Sequence, residues 1–203
     1  MSARQIFTGD LAILPTCAFG SRSLTWWGVI AYMLIEGGGF ALAGGSYLYL
    51  MSQETVWPPA SMPPDLLPGA LFTIIILLSE IPNVLLKKTA EAQQRERVIL
   101  LIVLLDLIGV GLLVIRGFEF AHVNVRWSDN AYGSILWALL ILHTIHILTD
   151  WAESVVLTVL MCTEHGKEPR RFVDISEDAL YWRFVWITWL PIFALIYLVP
   201  RWV

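Results

Sequence analysis

Residues 133–162 read GSILWALLILHTIHILTDWAESVVLTVLMC, a mostly apolar run whose ionisable members are His143, His146, Asp150 and Glu153. A helix needs about 20 apolar residues to cross a bilayer, and this stretch exceeds that. Steps of three, four and three residues keep all four ionisable groups on one side of such a helix. Charge in hydrocarbon is costly, so the stripe must be sheltered among helices, headgroups or water. Three other apolar runs carry acids near mid-depth: Glu36, Glu80 and Asp106.

The composition agrees with a membrane chain. Of 203 residues, 57% are hydrophobic and 15% charged, where a soluble domain carries roughly a quarter charged. Several of the ten Trp fall at segment ends (Trp26, Trp27, Trp57, Trp127 and Trp202), where amphipathic rings favour the headgroup layer. The expected class is an all-α polytopic bundle with five transmembrane helices at 24–51, 68–87, 97–120, 133–162 and 180–201, forming one membrane domain over 24–203. Residues 1–23, with Arg4, Asp10 and Arg22 around the short patch Leu11–Leu14, are too interrupted for a secretory signal and read as a cytoplasmic tail. Cys17 and Cys162 show no metal-ligand spacing and need not pair. No nucleic-acid partner is expected.

Lys and Arg set the direction. With the N-terminus inside, the inner side holds Arg4, Arg22, Lys87, Lys88, Arg95, Arg97, Lys167, Arg170, Arg171 and Arg183; the outer side holds Arg126 and Arg201, and Arg116 lies embedded near the outer end of span three. That asymmetry predicts a cytoplasmic N-terminus and a periplasmic C-terminus. The inner basic loops can also hold anionic headgroups. Trp57-Pro58-Pro59 should lie stiffly on the outer surface, Pro82 should kink span two, and Asp174 with Glu177 reads as an N-cap and its reciprocal partner. Gly37, Ala41 and Gly45 form a small-residue row that lets helices approach closely.

Depth brings several of these groups together. Glu36, His143 and His146 fall near the middle, with Glu80, Asp106, Asp150 and Glu153 towards the inner side. One reading is internal hydrogen bonding that packs helices; the other is proton exchange or headgroup binding. A third is a metal held by His143 and His146 with Asp150 and Glu80 or Glu36, although the Glu-x-x-His pairs of a di-iron bundle are missing. A fourth is an ion carrier relaying through Glu36, Asp106 and Asp150. Glu119 is either a surface acid or the partner of Arg116 three residues earlier.

Several short motifs, in order, resemble subunit III of the haem-copper oxidases, in a short five-span bacterial form. Glu36 with Phe40 resembles that family's buried glutamate, and Trp57-Pro58-Pro59 its Trp-Pro-Pro. Glu119-Phe120 followed by Tyr132-Gly133-Ser134 is similar to its Glu-Tyr and Tyr-Gly-Ser. His143 and His146 match the histidines of His-Gly-x-His, with Thr144 in place of the Gly. Tyr181-Trp182-Arg183-Phe184-Val185 with Trp189 resembles Tyr-Trp-His-Phe-Val-Asp-x-x-Trp, with Arg183 for His and Trp186 for Asp. Glu80, Asp106, Asp150 and Glu153 match no motif of the family.

The resemblance implies a non-catalytic subunit of a respiratory terminal oxidase in a bacterial inner membrane, or an accessory subunit of a nitric oxide reductase-type complex. Such a chain carries no cofactor or metal of its own; haem and copper reside in partner subunits I and II. It holds phospholipid in a cleft and supports proton uptake and stability of the catalytic subunit. Carried over, Glu36 and His143 form a hydrogen-bonded pair in that cleft, with His146 nearby, and Glu119 belongs to the same proton-linked set.

Overall fold

The computed structural model describes residues 14–59 and 61–202. Arg4, Asp10 and most of the Leu11–Leu14 patch lie outside the described residues, as does Val203. Five long helices follow one another: α1 (Leu24–Gln53), α2 (Leu66–Glu91), α3 (Arg95–Ala121), α4 (Ala131–Cys162) and α5 (Pro169–Phe193). The last continues through a π-helical turn, Ala194–Leu198, into a final helical turn, Val199–Trp202. All five are long and apolar enough to cross a membrane.

Local chemistry explains the boundaries. Ser23 opens α1 by accepting from the Thr25 amide at 3.2 Å, and Asn130 opens α4 by accepting from the Gly133 amide at 2.7 Å. Pro169 occupies the first turn of α5, where its missing N–H costs nothing. That start corrects the expected N-cap: Asp174 is inside α5, bound to Arg171 at 2.8 Å, because the helix begins several residues earlier. Pro191 removes the donor that Ile187 needs, and the wide turn at Ala194–Leu198 follows it. Helix α2 runs unbroken through Pro82.

Helices α2, α3, α4 and α5 form a ring, each packed on its neighbours, and α1 lies outside against α4 and α5. The core is the ring's interior: Phe72, Ile76, Leu112, Leu136, Leu140 and Trp189 are fully buried. Of α1, only Phe40 and Tyr47 are buried. Its small-residue row does not seat a helix tightly. Nothing lies within 4 Å of the missing side-chain position of Gly45, that of Gly37 meets only the edge of the Phe184 ring at 3.7 Å, and the row borders an apolar groove of about 640 Å³ shared with α4 and α5. The tight approaches occur elsewhere, at Gly69 beneath the Tyr197 ring, Gly109 beneath Trp151 and Gly133 beneath the Arg126 carbonyl.

The links are pinned rather than loose. Trp57, expected at the surface, is buried; its indole N–H donates to the Tyr47 hydroxyl at 2.9 Å and its ring meets Tyr132 edge-on. The Asp65 amide donates to the His122 carbonyl, and Asn124 donates to Asp65 at 3.0 Å, tying the α1–α2 link to the α3–α4 link. At the opposite end, Arg95 donates to the Met161 and Thr163 carbonyls, satisfying the end of α4. Arg183, more than a third exposed, lies part-way along α5 beside Glu80.

Gly133→Ala forces a Cβ into the Arg126 backbone, which cannot swing aside as a side chain can. We expect a loss of about 1–3 kcal/mol, read as a lowered melting temperature. Gly38→Ala, facing open space, should leave the transition within about 0.5 kcal/mol.

Candidate functional site

The stripe on α4 divides. His143 and His146 are three residues apart, about 60° around a helix of 3.6 residues per turn, and that angle sends them to different neighbours. His143 points into the four-helix ring, and His146 points towards α1.

Inside the ring, the Arg116 guanidinium of α3 lies 3.9 Å from the Phe72 ring centre and 4.3 Å from that of Trp189. It is held by aromatic faces on α2 and α5. It donates to Glu119 on its own helix and to His143 Nδ1 at 3.0 Å. The Tyr197 hydroxyl donates to the other Glu119 oxygen. Arginine only donates, so Nδ1 accepts and the single imidazole proton sits on Nε2, from which it is donated to the Val185 carbonyl at 3.0 Å. His143 is locked in one tautomer. Arg116 and Glu119 are each 1% exposed; of the two readings for Glu119, the Arg116 partner is the one the structure holds, buried rather than superficial.

The second group faces α1. Glu36 Oε1 lies 3.1 Å from His146 Nε2, and the Tyr181 hydroxyl donates to Glu36 Oε2 at 2.5 Å. The expected partner was His143; the structure joins Glu36 to His146, because α1 packs outside the ring and His143 faces inward. Phe40 lies between, its ring centre 4.7 Å from that of His146. His146 Nδ1 is 2.6 Å from the Leu142 carbonyl, so it carries a proton there.

The acids without a family motif are partnered by neighbours the sequence did not single out. Arg183 donates through Nε to Glu80 at 2.7 Å and through its second nitrogen, while Trp186 donates to the other Glu80 oxygen at 3.0 Å. The two departures in the last span thus serve one acid on α2. Asn83 adds a donor to Glu80 and another to the Ala179 carbonyl, both at 2.9 Å. Asp106 accepts from Ser154 at 2.7 Å and from Thr158 at 2.6 Å, joining α3 to α4. Asp150 and Glu153 turn to a separate cavity beside the first turns of α1. Among the described residues, no three His, Cys, Asp or Glu side chains come together to hold a metal ion. Both His143 nitrogens are engaged, and Glu80 is taken by Arg183 and Trp186, so the four ligands considered for a metal are dispersed.

A sequence model of the family described as cytochrome c oxidase subunit III matches residues 47–201. The chain belongs to the cytochrome c oxidase subunit III family. It is 25% identical over 185 residues to cytochrome c oxidase subunit 3 of Synechocystis, covering 88% of this chain and 77% of the relative. Identity to the subunit 3 of Schizophyllum commune is 27% over 146 residues, covering 70% and 54%. Identity to the probable subunit 3 of Rickettsia felis is 21% over 156 residues, covering 72% and 54%. The chain therefore spans little more than half the length of the fungal and rickettsial proteins.

The subunit III motifs have local reasons here. Gly133 of Tyr132-Gly133-Ser134 admits the Arg126 carbonyl. Thr144, in place of Gly, satisfies its hydroxyl on the Leu140 carbonyl at 2.6 Å. Glu36 and Phe40 precede the matched stretch, yet Glu36 meets Tyr181 and His146, which lie within it. Tyr181 and Tyr197 were the residues missed as donors. The motif surrounding Tyr181 was the available signal for one, and Tyr197 had none.

Arg116→Met strands Glu119 and unpairs His143, and should cost about 3–5 kcal/mol. The double variant Arg116→Met/Glu119→Gln leaves no buried ion and should recover part of that loss. Thermal unfolding of both variants in one detergent checks this.

Proposed function

We propose that this chain is the non-catalytic subunit III of a respiratory haem-copper terminal oxidase in a bacterial inner membrane. The family match over residues 47–201, which takes in the end of α1 and all of α2–α5, carries that reading. The chain docks on the catalytic subunit I, with subunit II in the same complex, and the haem and copper reside in those partners. Its own residues supply packing and a lipid-facing seam. Glu36, His146 and Tyr181 join α1 to the ring at the inner end of the apolar groove, whose wall includes Gly37 and Phe40. The acyl chains of a phospholipid fit that groove. A carboxyl and an imidazole 3.1 Å apart, Glu36 and His146, suit a proton-linked role.

Purification in mild detergent should bring a haem-bearing subunit with the chain; recovery of the chain alone would end this reading. In the complex, Glu36→Ala should leave the haem spectra unchanged while phospholipid retention falls and activity decays in fewer turnovers. Direction across the membrane is a separate test. Cys17 and Cys162 are both exposed, on the face that the basic residues place inside. A membrane-impermeant maleimide should label neither thiol in intact spheroplasts and both after permeabilisation.

A further inference from the structure

Glu80 on α2 and Arg183 on α5 meet inside the apolar length of their helices, and the pair opens outward. Along α2, Glu80 lies seven residues before Lys87 and fourteen after Leu66, about 10 Å and 21 Å at 1.5 Å per residue. At that depth a bilayer offers only hydrocarbon. Yet the Arg183 side chain is 38% exposed and that of Glu80 20%. Ionisable groups at this level face a bundle interior or a water-filled cavity, and are paired; an outward guanidinium therefore calls for a protein neighbour.

The unmet part of the pair is the guanidinium. Both Glu80 oxygens are taken, Oε1 by Arg183 Nε at 2.7 Å and Oε2 by Trp186 at 3.0 Å and Asn83 at 2.9 Å. Arg183 turns Nε and Nη2 to Glu80, and among the described residues no acceptor meets Nη1. Held at two nitrogens, the side chain is not free to stretch to the headgroups. The surface around it is apolar. Arg183, Ile187 and Leu190 follow at steps of four and three along one stripe of α5, and Leu77 and Ile81 flank Glu80 on α2, all four aliphatic side chains being exposed.

Charge and depth fix what covers such a donor. Acyl chains carry no acceptor, and headgroup phosphates stand about two helical turns away. A second copy of this chain presents the same guanidinium among the same aliphatic side chains, and a two-fold contact sets like charges face to face. Arg183 and Glu80 already cancel, so a further carboxylate would leave one charge unpaired in hydrocarbon. A neutral oxygen remains.

We propose that the α2–α5 face around Arg183 docks a transmembrane helix of a different chain, whose hydroxyl or carboxamide oxygen accepts from Nη1 while its apolar side chains cover Ile81, Ile187 and Leu190. This face rests on the membrane reading of the five spans and not on the oxidase assignment, since Glu80 matches no subunit III motif and Arg183 and Trp186 depart from one.

The test is photocrosslinking in intact membranes, with p-benzoylphenylalanine in place of Ile187, one turn from Arg183 and outside the ion pair. Mass spectrometry of the irradiated sample should find position 187 joined to a membrane helix of another chain, with Ser, Thr, Asn or Gln within one turn of the joined residue. Adding Glu80→Leu/Arg183→Leu, which leaves no charge unpaired, should lower the adduct yield about tenfold or more. Arg183→Lys keeps a cation on Glu80 but loses the planar fork, and should lower the yield about three- to tenfold with the amount of chain in the membrane unchanged. Adducts with lipid alone, adducts with a second copy of this chain, an Asp or Glu in place of the neutral acceptor, or a yield unchanged in both variants overturns the proposal. An adduct with a chain other than a haem-bearing subunit or its companions supports the face while counting against the oxidase assignment, so the two fail separately.

Discussion

A guanidinium cannot sit in the middle of an apolar helical bundle alone. Moving an ion of that kind from water into a low-dielectric interior costs about 20 kcal/mol in the idealised limit, so Arg116 must be enclosed by groups that replace water on every side. The ring does most of this with contributions from all four of its helices, leaving only the Nε hydrogen without a hydrogen-bond partner. Phe72 comes from α2, Glu119 from α3, His143 from α4, and Trp189 and the Val185 carbonyl from α5. Tyr197 completes Glu119 from the π turn that follows Pro191. A register slip of any ring helix breaks one of these contacts and strands a charge. The network is therefore better understood as what fixes the relative heights of α2–α5 than as a source of net stability.

The remaining polar groups follow the same logic with smaller stakes. The α2–α5 seam is pinned by indole donors: Trp182 to Ser79 and Trp189 to Thr73, both at 2.8 Å, with Trp186 and Arg183 on Glu80. The α3–α4 seam uses Asp106 with two hydroxyls and the Trp151 indole on the Asp106 carbonyl at 3.0 Å. Without water in the hydrocarbon, polar contacts and close packing hold helices together, and each seam here has one acid saturated by donors from the neighbouring helix. Glu80 with Arg183 and Trp186 also accounts for two departures from the family pattern at once: an acid on α2 and two donors on α5 form one compensated unit.

How much of this was legible in the chain depended on whether the answer lay along one helix or between helices. Five spans, their order and the embedding of Arg116 beside Glu119 follow from length, hydropathy and an i,i+3 spacing, all local quantities. Pairing across helices does not. His143 and His146 share a stripe, yet which of them meets Glu36 depends on where α1 docks, and nothing in residues 24–53 fixes that. Trp57 read as an interfacial ring because it borders prolines, while its burial depends on Tyr47 and Tyr132 from two helices. The small-residue row of α1 read as a contact and is instead a groove wall, since glycine permits approach without requiring it. Asp174 mimicked an N-cap because the true start, Pro169, gives a weaker signal than an Asp followed by a Glu.

The two histidines differ in what holds them. His143 is held between a donor that never deprotonates and a backbone acceptor, so both nitrogens have fixed roles and the ring cannot take up a proton without losing Arg116. His146 has one nitrogen fixed by the Leu142 carbonyl and the other shared with a carboxyl that Tyr181 also supports. The histidine in the ring keeps the bundle in register. The histidine facing α1 instead meets Glu36 and lies against Phe40, part of the wall of the apolar groove.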